Sequence, residues 1–88
     1  MPLYHTKVYG IVQGVGFRPF VARLAARFQI TGSVCNKGPY VEIFAQGTEA
    51  SMQAFCHALE ADAPERSAIL KIDRQKKTGL QVFSDFSI

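Results

Sequence analysis

The stretch QGVGFRPF at residues 13–20 places two glycines, an arginine and a proline between a strand-like segment and a helix-like segment. Before it, residues 4–12 mix β-branched and aromatic side chains, as is typical of a strand. Within it, Pro19 has a backbone angle already suited to the first position of a helix. An apolar stripe then recurs at helical spacing: Phe20, Val21, Leu24, Ala25 and Phe28. The stretch predicts a tight turn from a first strand into a first helix.

The rest of the chain predicts five more elements. Strands are expected at residues 31–36 and 40–46, joined as a hairpin by a Lys-Gly-Pro turn. Thr48 is expected to cap a second helix that ends before Pro64. The apolar stripe of that helix is Met52, Phe55, Cys56 and Leu59. A fourth strand is predicted at residues 68–74. A short added strand should follow the turn at residues 78–79, with alternating Leu80, Val82, Phe86 and Ile88.

The order β-α-β-β-α-β with a short extra C-terminal strand predicts an α+β fold of the ferredoxin-like split βαβ type. Two helices should pack on one face of an antiparallel sheet, with the second strand beside the first. The length of 88 residues predicts one domain, residues 1–88. Many functions use this fold, so individual residues have to indicate the function.

Composition narrows the class of protein without naming its function. A hydrophobic fraction of 48% argues against disorder. No apolar run approaches the ~20 residues of a membrane helix, and the first residues lack a signal-peptide pattern, so we expect a cytoplasmic protein without membrane contact. The net charge of +3 suits an anionic partner, but the basic residues are spread along the chain. Cys35 and Cys56 belong to no metal-binding pattern, and we expect two reduced, largely buried thiols and no metal or cofactor.

Residues 13–18 have the chemistry of an anion site. Glycine lets a ligand approach the backbone, and successive amides in such a turn form an anion-binding nest. The helix start adds unpaired N–H groups, and Arg18 adds a planar fork of donors that matches phosphate oxygens. However, a Gly-x-Gly pair commonly marks only a tight turn, and Phe17 is more simply a core side chain than a substrate contact. On these residues alone, phosphate binding and a plain structural turn are equal alternatives.

A second motif makes the sequence recognisable. The segment Gly10-x-Val12-Gln13-Gly14-Val15-Gly16-Phe17-Arg18, followed by Gly32-x-Val34-x-Asn36, resembles the paired signature of the acylphosphatase family. The resemblance covers essentially the whole chain, including the closing Phe86-x-Ile88.

One branch of that family fits best. Arg18-Pro19-Phe20-Val21 and Val34-Cys35-Asn36 resemble the N-terminal acylphosphatase-like domain of hydrogenase maturation carbamoyltransferases. Ser33 stands where many free-standing acylphosphatases have a tryptophan. Tyr40 departs from this branch, which commonly has glycine there, so we expect the hairpin and the rim of the site to differ.

The resemblance implies an enzyme that hydrolyses the carboxyl–phosphate bond of small acyl phosphates without a metal or cofactor. By resemblance, Arg18 and Asn36 are catalytic: the arginine binds the phosphate and the asparagine orients the attacking water. The resemblance assigns phosphate binding to Gly14, Val15, Gly16, Phe17 and Arg18. His5 and His57 are expected to have no role.

The branch implies carbamoyl phosphate as the substrate and the remaining domains of a larger carbamoyltransferase as partners. A free-standing acylphosphatase of general substrate range is the alternative, since the sequence does not distinguish an excised domain from a separate protein. We expect a monomer.

Two other classes of function compete. An RNA-recognition motif has the same order of elements, and residues 37–44 begin and end like its strand-three motif. Inside, Pro39, Tyr40 and Val41 do not fit, and Glu42 would repel RNA, so we expect no nucleic-acid partner. The second alternative keeps the site but makes the chain a binding or substrate-delivery domain with little activity of its own.

Overall fold

The computed structural model describes residues 2–12, 16–77 and 82–88. Within them the chain forms β1 (Leu3–Ile11), α1 (Phe17–Arg27), β2 (Thr31–Asn36), β3 (Tyr40–Gln46), α2 (Glu49–Ala61), β4 (Ala68–Lys77) and β5 (Phe86–Ser87). The predicted α+β fold of the ferredoxin-like type is confirmed. No helix in the described ranges is long and apolar enough to cross a membrane.

The five strands form one sheet in the order β4-β1-β3-β2-β5. Strand β3 is antiparallel to both β1 and β2, and β4 is antiparallel to β1. The short β5 is parallel to β2. The prediction that the second strand lies beside the first is wrong, because β3 lies between them. Since β1 and β2 both oppose β3, they run in the same direction and end at the same edge of the sheet.

One face of the sheet is covered by both helices. Alternate residues of the inner strands, such as Val8, Val34 and Ile43, point to that face and are almost completely buried. They form one core cluster with the apolar stripes of the helices: Phe17, Phe20, Val21, Leu24 and Ala25 from α1, and Met52, Phe55, Ala58 and Leu59 from α2. Helix α1 packs against β2 and α2. The periodicity read from the sequence therefore describes this core.

The two helix starts differ in how well the sequence predicts them. Thr48 caps α2 as expected, since its hydroxyl oxygen accepts from the Ser51 N–H at 3.1 Å. Helix α1 begins at Phe17, two residues before Pro19. Proline is tolerated at this third position because the first four N–H groups of a helix have no acceptor within it. The first backbone bond of α1 runs from the Phe20 N–H to the Gly16 carbonyl at 3.1 Å.

The C-terminal part of the chain departs most from the strands predicted by its sequence. Strand β4 continues to Lys77, three residues past the predicted end. The predicted alternation beyond it is wrong at Val82 and Ile88, which are 80% and 67% exposed and lie outside β5. Among the described residues of this predicted alternation, Phe86 packs against the core, and β5 pairs with β2 over two residues. Leu80 and the turn at residues 78–79 lie outside the described residues.

Two glycines permit close approach between strands. Gly10 and Gly32 have φ angles of +131° and +144°, and an added Cβ would collide with the carbonyl oxygens of Ala68 and Phe44 respectively. At Gly10 the register between β1 and β4 also shifts, which marks a bulge. These are the first glycines of the two motifs quoted above, so both motifs contribute to strand pairing as well as to chemistry.

Replacing Gly32 by alanine should lower the free energy of unfolding by about 2–4 kcal/mol, since it combines a strained φ with a backbone collision. Chemical denaturation of the purified chain would measure the change. The matched control is Gly38→Ala, where φ is +94° and no atom of the described residues, chain neighbours apart, lies within 4 Å of the added Cβ. That variant should lose only about 1–2 kcal/mol. Equal losses would show that the contact with β3 is not the constraint.

Candidate active site

The start of α1 and the end of β2 meet the same edge of the sheet. Helix α1 follows β1, and β1 and β2 end at a common edge. Asn36 is in register with Val41, which in turn is in register with Val8. Because side chains alternate along β2, Asn36 belongs to the face that carries Val34 and the helices. The start of α1, which carries Arg18, and the end of β2, which carries Asn36, therefore lie toward the same edge of the sheet, with β3 between β1 and β2.

The first turn of α1 has no capping side chain to accept from its N–H groups. Gly16 is its N-cap in the left-handed conformation, with φ 78° and ψ 20°, and makes no side-chain cap hydrogen bond. No acidic residue lies in the first turn. The N–H groups of Phe17 and Arg18 find no acceptor in the described part of the chain. This helix end therefore presents donors and the positive end of the helix dipole.

The side chains of this turn point in different directions. Phe17 is 1% exposed and its ring packs against that of Phe20, with centroids 5.7 Å apart. Its side chain is a core residue, and only its N–H can reach a ligand. Arg18 is exposed and forms no ion pair with any carboxylate of the described ranges. The predicted ligands Gly14 and Val15 lie outside the described residues.

A neighbouring backbone group orients the side chain of Asn36. Its Oδ1 accepts a hydrogen bond from the Gly38 N–H at 2.8 Å, which forms an Asx turn. The Lys37 N–H donates to the Tyr40 carbonyl at 2.9 Å and closes the hairpin. The left-handed φ of Gly38 is part of this turn. The sequence predicted Gly38 only as part of a turn, although an Asn-x-Gly spacing is itself a sign of an Asx turn.

The side chain of Tyr40 lies on the other face of the sheet from Asn36. Its side chain lies on the face of the sheet opposite the helices, because it precedes the buried Val41 in β3. There its ring packs on Tyr9, with centroids 5.3 Å apart, and the Lys7 ammonium lies 5.2 Å from the ring centre. Asn36 belongs to the other face. The departure of Tyr40 from the family branch is therefore a change on the far side of the sheet.

Neither histidine is brought to this edge. His5 lies on the face opposite the helices, where its Nε2 is 2.9 Å from a carboxylate oxygen of Glu42 and its ring stacks on Phe44. His57 is exposed on α2.

Both cysteines are free, but the expectation that both are largely buried is wrong for Cys35, which is exposed near the end of β2. Within the described residues, no group of three or more His, Cys, Asp or Glu side chains could hold a metal ion.

The chain is similar to known proteins of one family. The acylphosphatase family model matches residues 4–88. A probable carbamoyltransferase HypF of Methanocaldococcus jannaschii is 45% identical over 82 residues, which are 93% of this chain but 11% of that protein. An acylphosphatase of Staphylococcus haemolyticus is 38% identical over 82 residues, covering 93% of this chain and 92% of that protein. The chain thus spans about a tenth of one relative and nearly all of the other.

Solved structures give the same two kinds of relative. The crystal structure of an acylphosphatase from Bacillus subtilis superposes with a TM-score of 0.92 at 35% identity, over all of this chain and 98% of that one. A crystal structure of full-length HypF in its phosphate- and nucleotide-bound form superposes with a TM-score of 0.93 at 31% identity. It covers 98% of this chain and 11% of that chain. The resemblance to the acylphosphatase family that the two motifs indicate is confirmed, and the similar proteins include both free-standing acylphosphatases and HypF.

Asn36→Ala should lower the free energy of unfolding by about 0.5–1 kcal/mol, because the Gly38 N–H loses its acceptor. Asn36→Asp keeps an acceptor oxygen at that position and should leave stability nearly unchanged. Thermal and urea unfolding of both variants would measure the difference. An alanine variant as stable as the parent chain would mean that this hydrogen bond does not hold the turn.

Proposed function

The chain belongs to the acylphosphatase family, and on that premise we propose that Arg18, Asn36 and the amides at the start of α1 carry its reaction. It is an acylphosphatase, a hydrolase that acts on acyl phosphates. One observation carries the assignment of residues. The first turn of α1 has N–H groups without an acceptor among the described residues, no acidic side chain and an exposed Arg18, and it lies toward the same sheet edge as Asn36.

The start of α1 binds the phosphate of the substrate in this proposal. The amides of Gly14, Val15, Gly16, Phe17 and Arg18 donate to its oxygens, and the Arg18 guanidinium takes two of them in a bidentate contact. Phosphoryl transfer depends mainly on positioning and on stabilising charge in the transition state. Backbone donors that are fixed before the substrate arrives need no reorganisation during the reaction. The burial of the Phe17 side chain supports this role, since it anchors the amides that donate.

Asn36 positions the attacking water. A carboxamide cannot act as a general base, because it has no useful pKa. Its Oδ1 accepts from the Gly38 N–H, and in this proposal the carboxamide NH₂ group donates to the water oxygen. The water oxygen forms the new bond to phosphorus while the bond to the acyl oxygen breaks. The carboxylate leaves with the electron pair of that bond, and a phosphate oxygen accepts the proton of the water.

We further propose carbamoyl phosphate as the preferred substrate, with residues 1–88 acting as one domain of a carbamoyltransferase. The support is the 45% identity to a probable carbamoyltransferase, together with the stretch Arg18–Val21. A free-standing acylphosphatase of general range is the alternative, supported by the relative that matches over 92% of its length.

Hydrolysis of carbamoyl phosphate and benzoyl phosphate by the same preparation distinguishes these possibilities. A higher kcat/KM for carbamoyl phosphate supports the carbamoyltransferase assignment, and efficient hydrolysis of both supports a free-standing enzyme. Binding of carbamoyl phosphate without turnover of either compound would instead support a substrate-delivery domain, and it would contradict the proposed catalytic roles.

Arg18→Ala should lower kcat/KM for benzoyl phosphate by at least about 10²–10³-fold, the usual effect of removing one preorganised donor to a developing oxyanion. The fold should remain intact, because the side chain is exposed. Arg23→Ala is the matched control, since Arg23 is also exposed on α1. It should leave the rate unchanged. Parental activity in Arg18→Ala would remove this residue from the mechanism.

Asn36→Ala should lower kcat by about 10²-fold, while inhibition by inorganic phosphate changes much less, because the residue acts on the water and not on the phosphate. Steady-state kinetics with phosphate as a competitive inhibitor would separate the two effects. If the inhibition constant for phosphate rises as much as kcat falls, Asn36 is a direct phosphate ligand instead.

A further inference from the structure

A cavity of about 270 Å³ lies between α2 and the side of the sheet formed by β1 and β4. Its lining residues are Tyr4, Glu49, Met52, Gln53, Cys56 and Arg74. Tyr4 is near the beginning of β1, whereas the proposed active site follows the end of that strand at Ile11. At about 3.3 Å per residue, the two ends are roughly 23 Å apart. The cavity is therefore separate from the edge that carries Arg18 and Asn36.

Arg74 gives this cavity one uncompensated positive charge. Arg74 lies on β4 in register with the buried Thr6 of β1. Glu49 lines the same cavity, but its Oε1 pairs with the Lys76 ammonium at 3.3 Å. Within the described residues, no carboxylate lies within ion-pair distance of Arg74. Since Glu49 and Lys76 compensate each other, the guanidinium of Arg74 remains available to an anion.

The opposite wall is uncharged and mostly apolar. Burial raises the pKa of the Cys56 thiol, Arg74 acts in the opposite direction, and Glu60 adds a smaller increase. The net shift keeps the thiol protonated near neutral pH, so it does not compensate the charge of Arg74. The thioether of Met52 and the ring of Tyr4 add polarizable apolar surface.

We propose that this cavity binds a small monocarboxylate with an apolar ring, the carboxylate on Arg74 and the ring against Met52 and Cys56. A guanidinium and a carboxylate match in geometry and form two parallel hydrogen bonds. A dry cavity of about 150 Å³ accommodates benzene, so this larger space can hold a ring with one carboxylate. A dianion fits less well, because Arg74 is the one charged lining residue without an ion-pair partner among the described residues. An ammonium compound is excluded by Arg74 itself.

Titration of the ¹⁵N-labelled chain with benzoate, followed by two-dimensional NMR, tests the proposal. Saturable shifts should appear at the amides of Gln53, Cys56 and Arg74. Arg74→Met should weaken binding by about tenfold, the effect expected for a hydrogen bond to a charged group, while retaining the apolar stem of the side chain. Arg66→Met, which removes an exposed arginine before β4, should bind like the parent chain. Benzamide, uncharged and of similar shape, should bind the parent as weakly as benzoate binds the Arg74→Met variant.

A chemical readout separates this cavity from the proposed active site. In a Cys35→Ser background, benzoate should slow alkylation of Cys56 by iodoacetamide, whereas benzamide at the same concentration should protect much less. Arg74→Lys keeps the charge but loses the paired geometry, so its protection should be intermediate. Three results would overturn the proposal: shifts confined to the start of α1, equal affinity of the Arg74→Met and parent chains, or no protection of Cys56.

Discussion

The whole arrangement depends on the pairing of β3 with β1 on one side and with β2 on the other. Val41, Ile43 and Ala45 lie on the helix-covered face of β3 and are at most 1% exposed. Their registers with both neighbours orient β1 and β2 in the same direction. Two strand spacings of about 4.8 Å separate those neighbours, so Asn36 of β2 lies roughly 10 Å from Val8 of β1, with Val41 of β3 between them.

The local elements of this fold could be predicted from the sequence, because local chemistry determines them. The hairpin around Gly38, the cap at Thr48 and the apolar stripes depend on residues only a few positions apart. The order of the strands could not be predicted in this way, since periodicity does not show which strand occupies the middle of a sheet. The short β5 shows the same limit: alternation continues in the sequence to Ile88, yet from residue 82 onward Phe86 packs against the core while Val82 and Ile88 are exposed.

The candidate site could be predicted mainly because the two motifs resemble those of the acylphosphatase family. Glycines and an arginine before a helix are consistent with an ordinary turn, and only the second motif with Asn36 made the pattern specific. The start of α1 at Phe17 could not be read from the sequence because proline also suits a first helical position. The cavity beside Arg74 has no sequence signature, since it arises from the register between β1 and β4 together with the position of α2.

The unpaired N–H groups at the start of α1 also connect ligand occupancy to the stability of the protein. A helix whose first turn has neither a capping side chain nor an acidic residue is stabilised by any anion that supplies the missing acceptors. Phe17 belongs to that turn and is nearly completely buried, so the turn is attached to the core. Anion binding at this turn and folding would be linked equilibria, so a phosphate bound as proposed would shift the population toward the native state. In this protein, the proposed binding surface for the substrate is also a helix end that lacks a capping side chain.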